Sequence, residues 1–254
     1  MKKRWMRYYA PWLLGLLLCG AYTPLSWADE CVILLHGLAR SASSMDELAT
    51  KLTARGYYVA NIDYPSREKP ISELSAIAVS AGLEACAHHQ ATPVNFVTHS
   101  LGGILVRHYY QQRSTAEVKR VVMLGPPNHG SEVVDNLKEL PGYELLNGPA
   151  GMELGTGEEA LPNRLGGVRF DLGVIAGTQS INPILSSFLP NPNDGKVSVE
   201  STRVEGMCGF VALPVTHTFL MRNHQVIAEV IHYLETGRFA SPLAEEALPG
   251  CEIR

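Results

Sequence analysis

The stretch Val94-Asn95-Phe96-Val97-Thr98-His99-Ser100-Leu101-Gly102-Gly103-Ile104-Leu105-Val106-Arg107 decides the fold. Its first five residues form an apolar run of strand length, and from Leu101 onward apolar residues recur at helical density, so the chain turns sharply between them. A serine in such a turn stands at the top of a sheet and at a helix N-terminus. Its hydroxyl is exposed there, and the N–H of Leu101 is available to a developing oxyanion. Gly102 is needed because the helix packs close against the strand. Alone, a serine before an apolar helix reads equally well as a helix cap; the rest of the chain decides between the two.

Outward from this turn, short apolar strands alternate with helices. Cys31 to Leu35 reads as a buried strand that stops at His36-Gly37, and a helix follows over Ser44 to Arg55, ended by Gly56. Tyr57 to Ile62 is a strand, Ile71 to His88 a long helix, Val94 to Thr98 a strand, Leu101 to Gln112 a helix and Val118 to Leu124 a strand. Such alternation predicts an α/β fold with a mostly parallel sheet covered by helices on both faces. Pro141 to Gly167 is rich in Gly and Pro and reads as a loop or small cap, an insertion placed at about 131–168. Strands follow over Asp171 to Ala176 and Met207 to Leu213. The last helix spans Asn223 to Thr236, with Val226, Ile227, Val230, Ile231 and Leu234 on one face.

The 254 residues carry 21 basic and 25 acidic side chains, and 46% are apolar, a globular composition whose acidity argues against nucleic acid as partner. Residues 1–28 read as a signal peptide, with Lys2, Lys3, Arg4 and Arg7 ahead of an apolar run and Ser26 and Ala28 as the small residues before the cut. The alternative is an uncleaved anchor. Cleavage leaves a domain at 29–254 with 17 basic and 25 acidic residues, a net charge of −8, bound for secretion or the periplasm. On that overall charge, uncharged esters are expected to reach Ser100 more readily than anionic phospholipids. It also leaves Cys31, Cys86, Cys208 and Cys251, an even set in an oxidising compartment. Cys31 begins the first strand and Cys86 ends the long helix, so both belong at the bottom of the sheet and are expected to pair; Cys208 with Cys251 follows by elimination.

Thr98-His99-Ser100-Leu101-Gly102 resembles the Gly-x-Ser-x-Gly elbow of the α/β-hydrolase family, and within it that of secreted bacterial lipases and esterases of the triacylglycerol lipase type. Threonine stands where the pattern has its first glycine. His36-Gly37-Leu38 is similar to the His-Gly of lipases, which implies Leu38 and Leu101 as the two oxyanion-hole N–H donors, with His36 holding the loop. Gly-Pro-Pro-Asn-His-Gly-Ser at 125–131 resembles another lipase segment, and His129 reads there as structural.

The resemblance implies a Ser-Asp-His order. Histidines before Ser100 fall outside that order, and His108 and His232 lie inside helices, which leaves His217 and His224. His217, in Pro214-Val215-Thr216-His217-Thr218-Phe219-Leu220-Met221, matches the lipase segment; His224 opens the last helix and should face solvent. Asn193-Asp194-Gly195-Lys196-Val197 resembles the run carrying the lipase acid, so Asp194 is the expected orienting carboxylate, with Asp171 and Glu200 as fallbacks and a plain Asp-Gly turn as the structural alternative. The expected chemistry is ester cleavage through an acyl-enzyme on Ser100, with His217 as base and no cofactor. No His-Glu-x-x-His, phosphate loop or dinucleotide fingerprint points to a metal or nucleotide.

Leu38, Leu101, Met123, Leu124, Phe219, Leu220 and Met221 would suit an acyl chain, or an ordinary core. The expected partner is a small-molecule or lipid ester, with transient contact to a lipid surface, and the protein is expected to be a monomer. Two other functions fit the same scaffold: an acyltransferase or thioesterase acting on envelope lipids, and a non-catalytic binding or chaperone protein.

Overall fold

The structure, a computed structural model, describes residues 30–246 and 248–251; the expected signal peptide lies outside them. Seven strands form one sheet in the order β2-β1-β3-β4-β5-β6-β7, with β1 Cys31–Leu35, β2 Tyr58–Ile62, β3 Val94–His99, β4 Val118–Leu124, β5 Leu172–Gly177, β6 Gly209–Leu213 and β7 Glu245–Glu246. The first six are parallel, and β7 adds antiparallel to β6.

Strict alternation along each strand divides the core in two. Ile33, Leu35, Phe96, Val121 and Met123 pack on one face with Leu74 and Ala78 of α2 (Ile71–His88) and Ile104 and Leu105 of α3 (Leu101–Tyr110). Val32, Leu34, Val97, Val122 and Leu124 pack on the other with Leu48 and Leu52 of α1 (Asp46–Thr53) and with Val226, Val230 and Leu234 of α8 (His224–Thr236). Both faces are therefore dry, which is why these strands read as continuous apolar runs rather than as alternating ones. Each fully buried aliphatic side chain contributes roughly 2 kcal/mol.

The region expected as loop or cap holds three short helices, α4 Glu132–Leu137, α5 Tyr143–Met152 and α6 Leu161–Arg164. Their brevity and the Gly148-Pro149 interruption inside α5, where Gly148 departs from helical geometry, hide them from a periodicity reading. The remaining helix is α7, Pro183–Ser186. Disulfides join Cys31 to Cys86, linking β1 to the end of α2, and Cys208 to Cys251, fixing the segment after α8 beside β6.

The strand order places the site. The chain passes from β1 outward to β2 and returns across β1 to form β3, so the loops leaving the carboxyl ends of β1 and β3 lie side by side at a reversal of strand order. Open parallel sheets form their crevice at such a point. Here those loops are residues 36–41 and the turn at Ser100.

Candidate active site

Ser100 sits between β3 and α3 with φ 53° and ψ −118°, a strained backbone for a residue with a side chain. The turn is held from both sides: the Ser100 N–H donates to the Leu124 carbonyl at 2.9 Å, and the Gly103 N–H donates to the Ser100 carbonyl at 3.0 Å. Glycine is obligatory at 102, since a Cβ there would fall 2.6 Å from the carbonyl oxygen of Leu35. This is the close helix-strand approach expected from the sequence.

Gly37 brings the loop after β1 against the turn; a Cβ on it would lie 2.7 Å from His99 Nδ1 and 3.3 Å from Ser100 Cβ. His36 anchors that loop. Its Nδ1 lies 2.9 Å from the Gly37 carbonyl, its Nε2 accepts from the Tyr64 N–H at 3.3 Å, and its ring stacks on Tyr64 at 4.0 Å between centroids. The two bonds assign the neutral tautomer with the proton on Nδ1, and burial accordingly lowers the His36 pKa.

Asp194 and His217 come from the segments after β5 and β6. His217 Nδ1 donates to Asp194 Oδ2 at 2.7 Å, while Asp194 Oδ1 accepts the N–H groups of Lys196 at 3.0 Å and Val197 at 2.8 Å. The main chains are tied as well, the His217 N–H donating to the Asp194 carbonyl at 3.1 Å. Both residues are buried. A carboxylate so satisfied fixes the imidazole proton on Nδ1 and leaves Nε2 as the basic nitrogen. Gly125, at φ +55°, makes room for the pair: a Cβ on it would lie 3.1 Å from both Asp194 Oδ2 and His217 Nδ1.

His99 supports the arrangement from behind. Its Nε2 lies 3.0 Å from the His217 carbonyl and its ring 4.8 Å from the His217 ring; complete burial, with His217 beside it, pushes its pKa well below the ordinary histidine value. A neutral His99 donating through Nε2 fits that contact.

Ser100 and His217 line one cavity of about 430 Å³, with no hydrogen bond between their side chains. Such contacts tighten when substrate binds. Leu38, Pro127 and Val197 line it too, and the insertion contributes Val134, Tyr143, Asn147 and Leu154. Of the residues expected to offer apolar surface to an acyl chain, Leu38 alone lines this cavity. Leu101, Met123, Leu124, Leu220 and Met221 are core residues packed between sheet and helices, and Phe219 is half exposed elsewhere.

The alternative acid and base residues lie in other places. Asp171 stands ahead of β5, at the amino end of the strands, where it pairs with Arg120 at 3.3 Å and accepts from Tyr233 Oη at 2.6 Å. Glu200 is exposed beside Arg203, and the His224 side chain is 87% exposed near Glu47. His129 Nδ1 bonds Asn163 Oδ1 at 2.8 Å, within the insertion. Among the described residues, no three His, Cys, Asp or Glu side chains gather as a metal site.

Sequence reasoning passed over Arg40 and Lys196, which line the cavity, and all of its lining from the insertion. Lys196 had a signal, two places after the expected acid. Tyr143 and Asn147 had none, because only the folding of the insertion brings them to Ser100.

The palmitoyl protein thioesterase family profile matches residues 31–156, from β1 through the elbow and into the insertion. A search of curated protein sequences finds no match. Among solved structures, the mature lipase of Bacillus licheniformis superposes with a TM-score of 0.61 at 20% identity, covering 83% of this chain and 92% of that one. Lipase B of Aspergillus fumigatus gives 0.61 at 15% identity, over 84% of this chain and 54% of its own. The phospholipase PlaB of Legionella pneumophila gives 0.52 at 18% identity, over 69% and 46%. With its parallel sheet, its serine elbow after β3 and these superpositions, the chain has the α/β-hydrolase fold.

Proposed function

We propose that the protein is a serine hydrolase of carboxylic esters of lipid-like acids, acting through an acyl-enzyme on Ser100. The buried 2.7 Å bond from His217 to Asp194, facing the same cavity as a serine on a strained elbow, carries this reading. His217 Nε2 takes the Ser100 proton as Oγ attacks the ester carbonyl carbon. The N–H groups of Leu38 and Leu101 receive the oxyanion, each contributing about 3 kcal/mol. The tetrahedral intermediate expels the alcohol, which takes the proton from His217. Water then gives a proton to the same nitrogen, attacks the acyl carbonyl and releases the acid with Ser100 restored. Asp194 holds the tautomer throughout.

The two disulfides fit an exported protein, as does the signal peptide read from the sequence. Thioester cleavage is the second reading, favoured by the thioesterase profile over residues 31–156. The test has two stages. Labelling by a fluorophosphonate should be fast for the wild type and absent for Ser100→Ala; equal labelling refutes the nucleophile. Paired oxygen esters and thioesters of one acyl chain, followed over rising chain length, then decide which bond is cleaved and which acid is preferred.

A further inference from the structure

The cavity beside Ser100 contains two cationic side chains that the reaction does not use. Arg40 leaves the loop after β1, and Lys196 leaves the loop that carries Asp194; both line the same space as Ser100 and His217. Among the described residues neither cation has a carboxylate within 4.0 Å. Asp194 is the acid near Lys196, but its oxygens are taken by His217 and by two backbone N–H groups.

Among the described residues, no Asp or Glu lines the cavity itself. Arg40 is half-buried, and that burial together with the nearby Arg222 disfavours its charge; Lys196 is exposed, and Arg40 is close enough to repel it. A half-buried and an exposed cation lining the space beside Ser100, with the nearest carboxylate, Asp194, already engaged by His217, favour a ligand that supplies further negative charge.

We infer, resting on the hydrolase reading above, that the substrate carries an anionic group, phosphate or carboxylate, close to its scissile ester and held by Arg40 and Lys196. This reverses the expectation from net charge. Chain-wide acidity acts from a distance and is screened beyond about 10 Å at 0.1 M salt, whereas cations that line the cavity meet a bound ligand at contact distance. Arg40 suits bidentate binding of a planar or tetrahedral anion, and Lys196 adds a point charge.

The test compares esters matched in acyl chain. Octanoylglycerol against octanoylglycerol phosphate is the phosphate arm; the methyl ester of O-octanoyl lactate against O-octanoyl lactate is the carboxylate arm. The expected result is a kcat/KM about tenfold higher for the charged member of at least one pair, mostly through KM, and falling with added salt. The ratio should drop to about one in an Arg40→Gln, Lys196→Gln double variant and persist in Arg40→Lys and Lys196→Arg, where charge is kept. The non-hydrolysable octyl glycerol ether and its phosphate provide a binding measurement independent of turnover. If the phosphate ether and a lactate ether bind no more tightly than their neutral counterparts, or if the double variant keeps the preference, the inference is overturned. Charge-dependent ether binding without any ester turnover would instead refute the hydrolase reading and leave the anion site standing.

Discussion

Gly125→Ala would place a methyl group against the Asp194–His217 pair. Gly125 has φ +55°, and its Cβ would lie 2.9 Å from Leu220 Cδ1 and 3.1 Å from Asp194 Oδ2 and His217 Nδ1. The backbone alone costs roughly 1–2 kcal/mol when an alanine takes this conformation. Three atoms must then move by a few tenths of an ångström, two of them the partners in a 2.7 Å hydrogen bond. A misplacement of about 1 Å costs about 100-fold, so a shift of a few tenths of an ångström in this pair should lower activity by about tenfold. Gly56→Ala separates the two effects. Gly56 also has positive φ, at +88°, but no atom lies within 4 Å of its Cβ, so it suffers the strain without the clash. Both variants should melt lower, by about 2–4 °C for each kcal/mol lost. Rates of fluorophosphonate labelling and ester turnover should fall in Gly125→Ala alone. If Gly125→Ala labels as fast as Gly56→Ala, the pair does not depend on this contact and the assignment of His217 with Asp194 loses its geometric basis.

Asp194→Asn should fold and still bind substrate, with kcat reduced about 10³- to 10⁴-fold because an amide no longer fixes the proton on Nδ1; a reduction under tenfold counts against the assigned role. Arg107, buried in α3, donates to Asn128 O at 2.8 Å, Asn128 Oδ1 at 3.1 Å, Pro162 O at 3.1 Å and Gly166 O at 2.7 Å, tying the elbow helix to the insertion. Burial lowers its pKa to about 10, so its cation is held at a desolvation cost. Arg107→Met should still lower stability by about 2–4 kcal/mol in urea unfolding, because four acceptors lose their donor; an unchanged midpoint would show that water replaces the guanidinium. His36 and His99 both have folded pKa values below the 6.5 of the unfolded chain, so the unfolded state binds more protons as pH falls through 6.5. Stability should therefore decline from pH 7 toward 5, by up to about 1.4 kcal/mol per pH unit for each histidine, and His99→Gln should show a shallower decline if it folds.

The fold was legible because its two dry faces impose a simple pattern. β1 is buried on both sides and is written as an unbroken apolar run, β3 and β4 carry shorter ones at Phe96-Val97 and Val121 to Leu124, and α2 and α8 announce themselves by length and by their apolar stripes. The serine turn was equally plain, since a strand, two small residues and a helix can be joined in few ways. The helices of the insertion were not, because α4 and α6 are too short for a period to register and α5 is broken at Gly148-Pro149.

By itself the sequence determined what is local: strands, long helices, the elbow at Ser100, and cysteines suited to pair. The tertiary structure decided which distant residues share a space. Asp194 and Asp171 are alike as letters, yet one follows β5 at its carboxyl end and meets His217, while the other precedes β5 and meets Arg120. The same holds for charge. A formal net charge of −4 describes the sum, but Arg40 and Lys196, separated by most of the chain, line one cavity beside Ser100 because parallel strands deliver their loops to one end of the sheet.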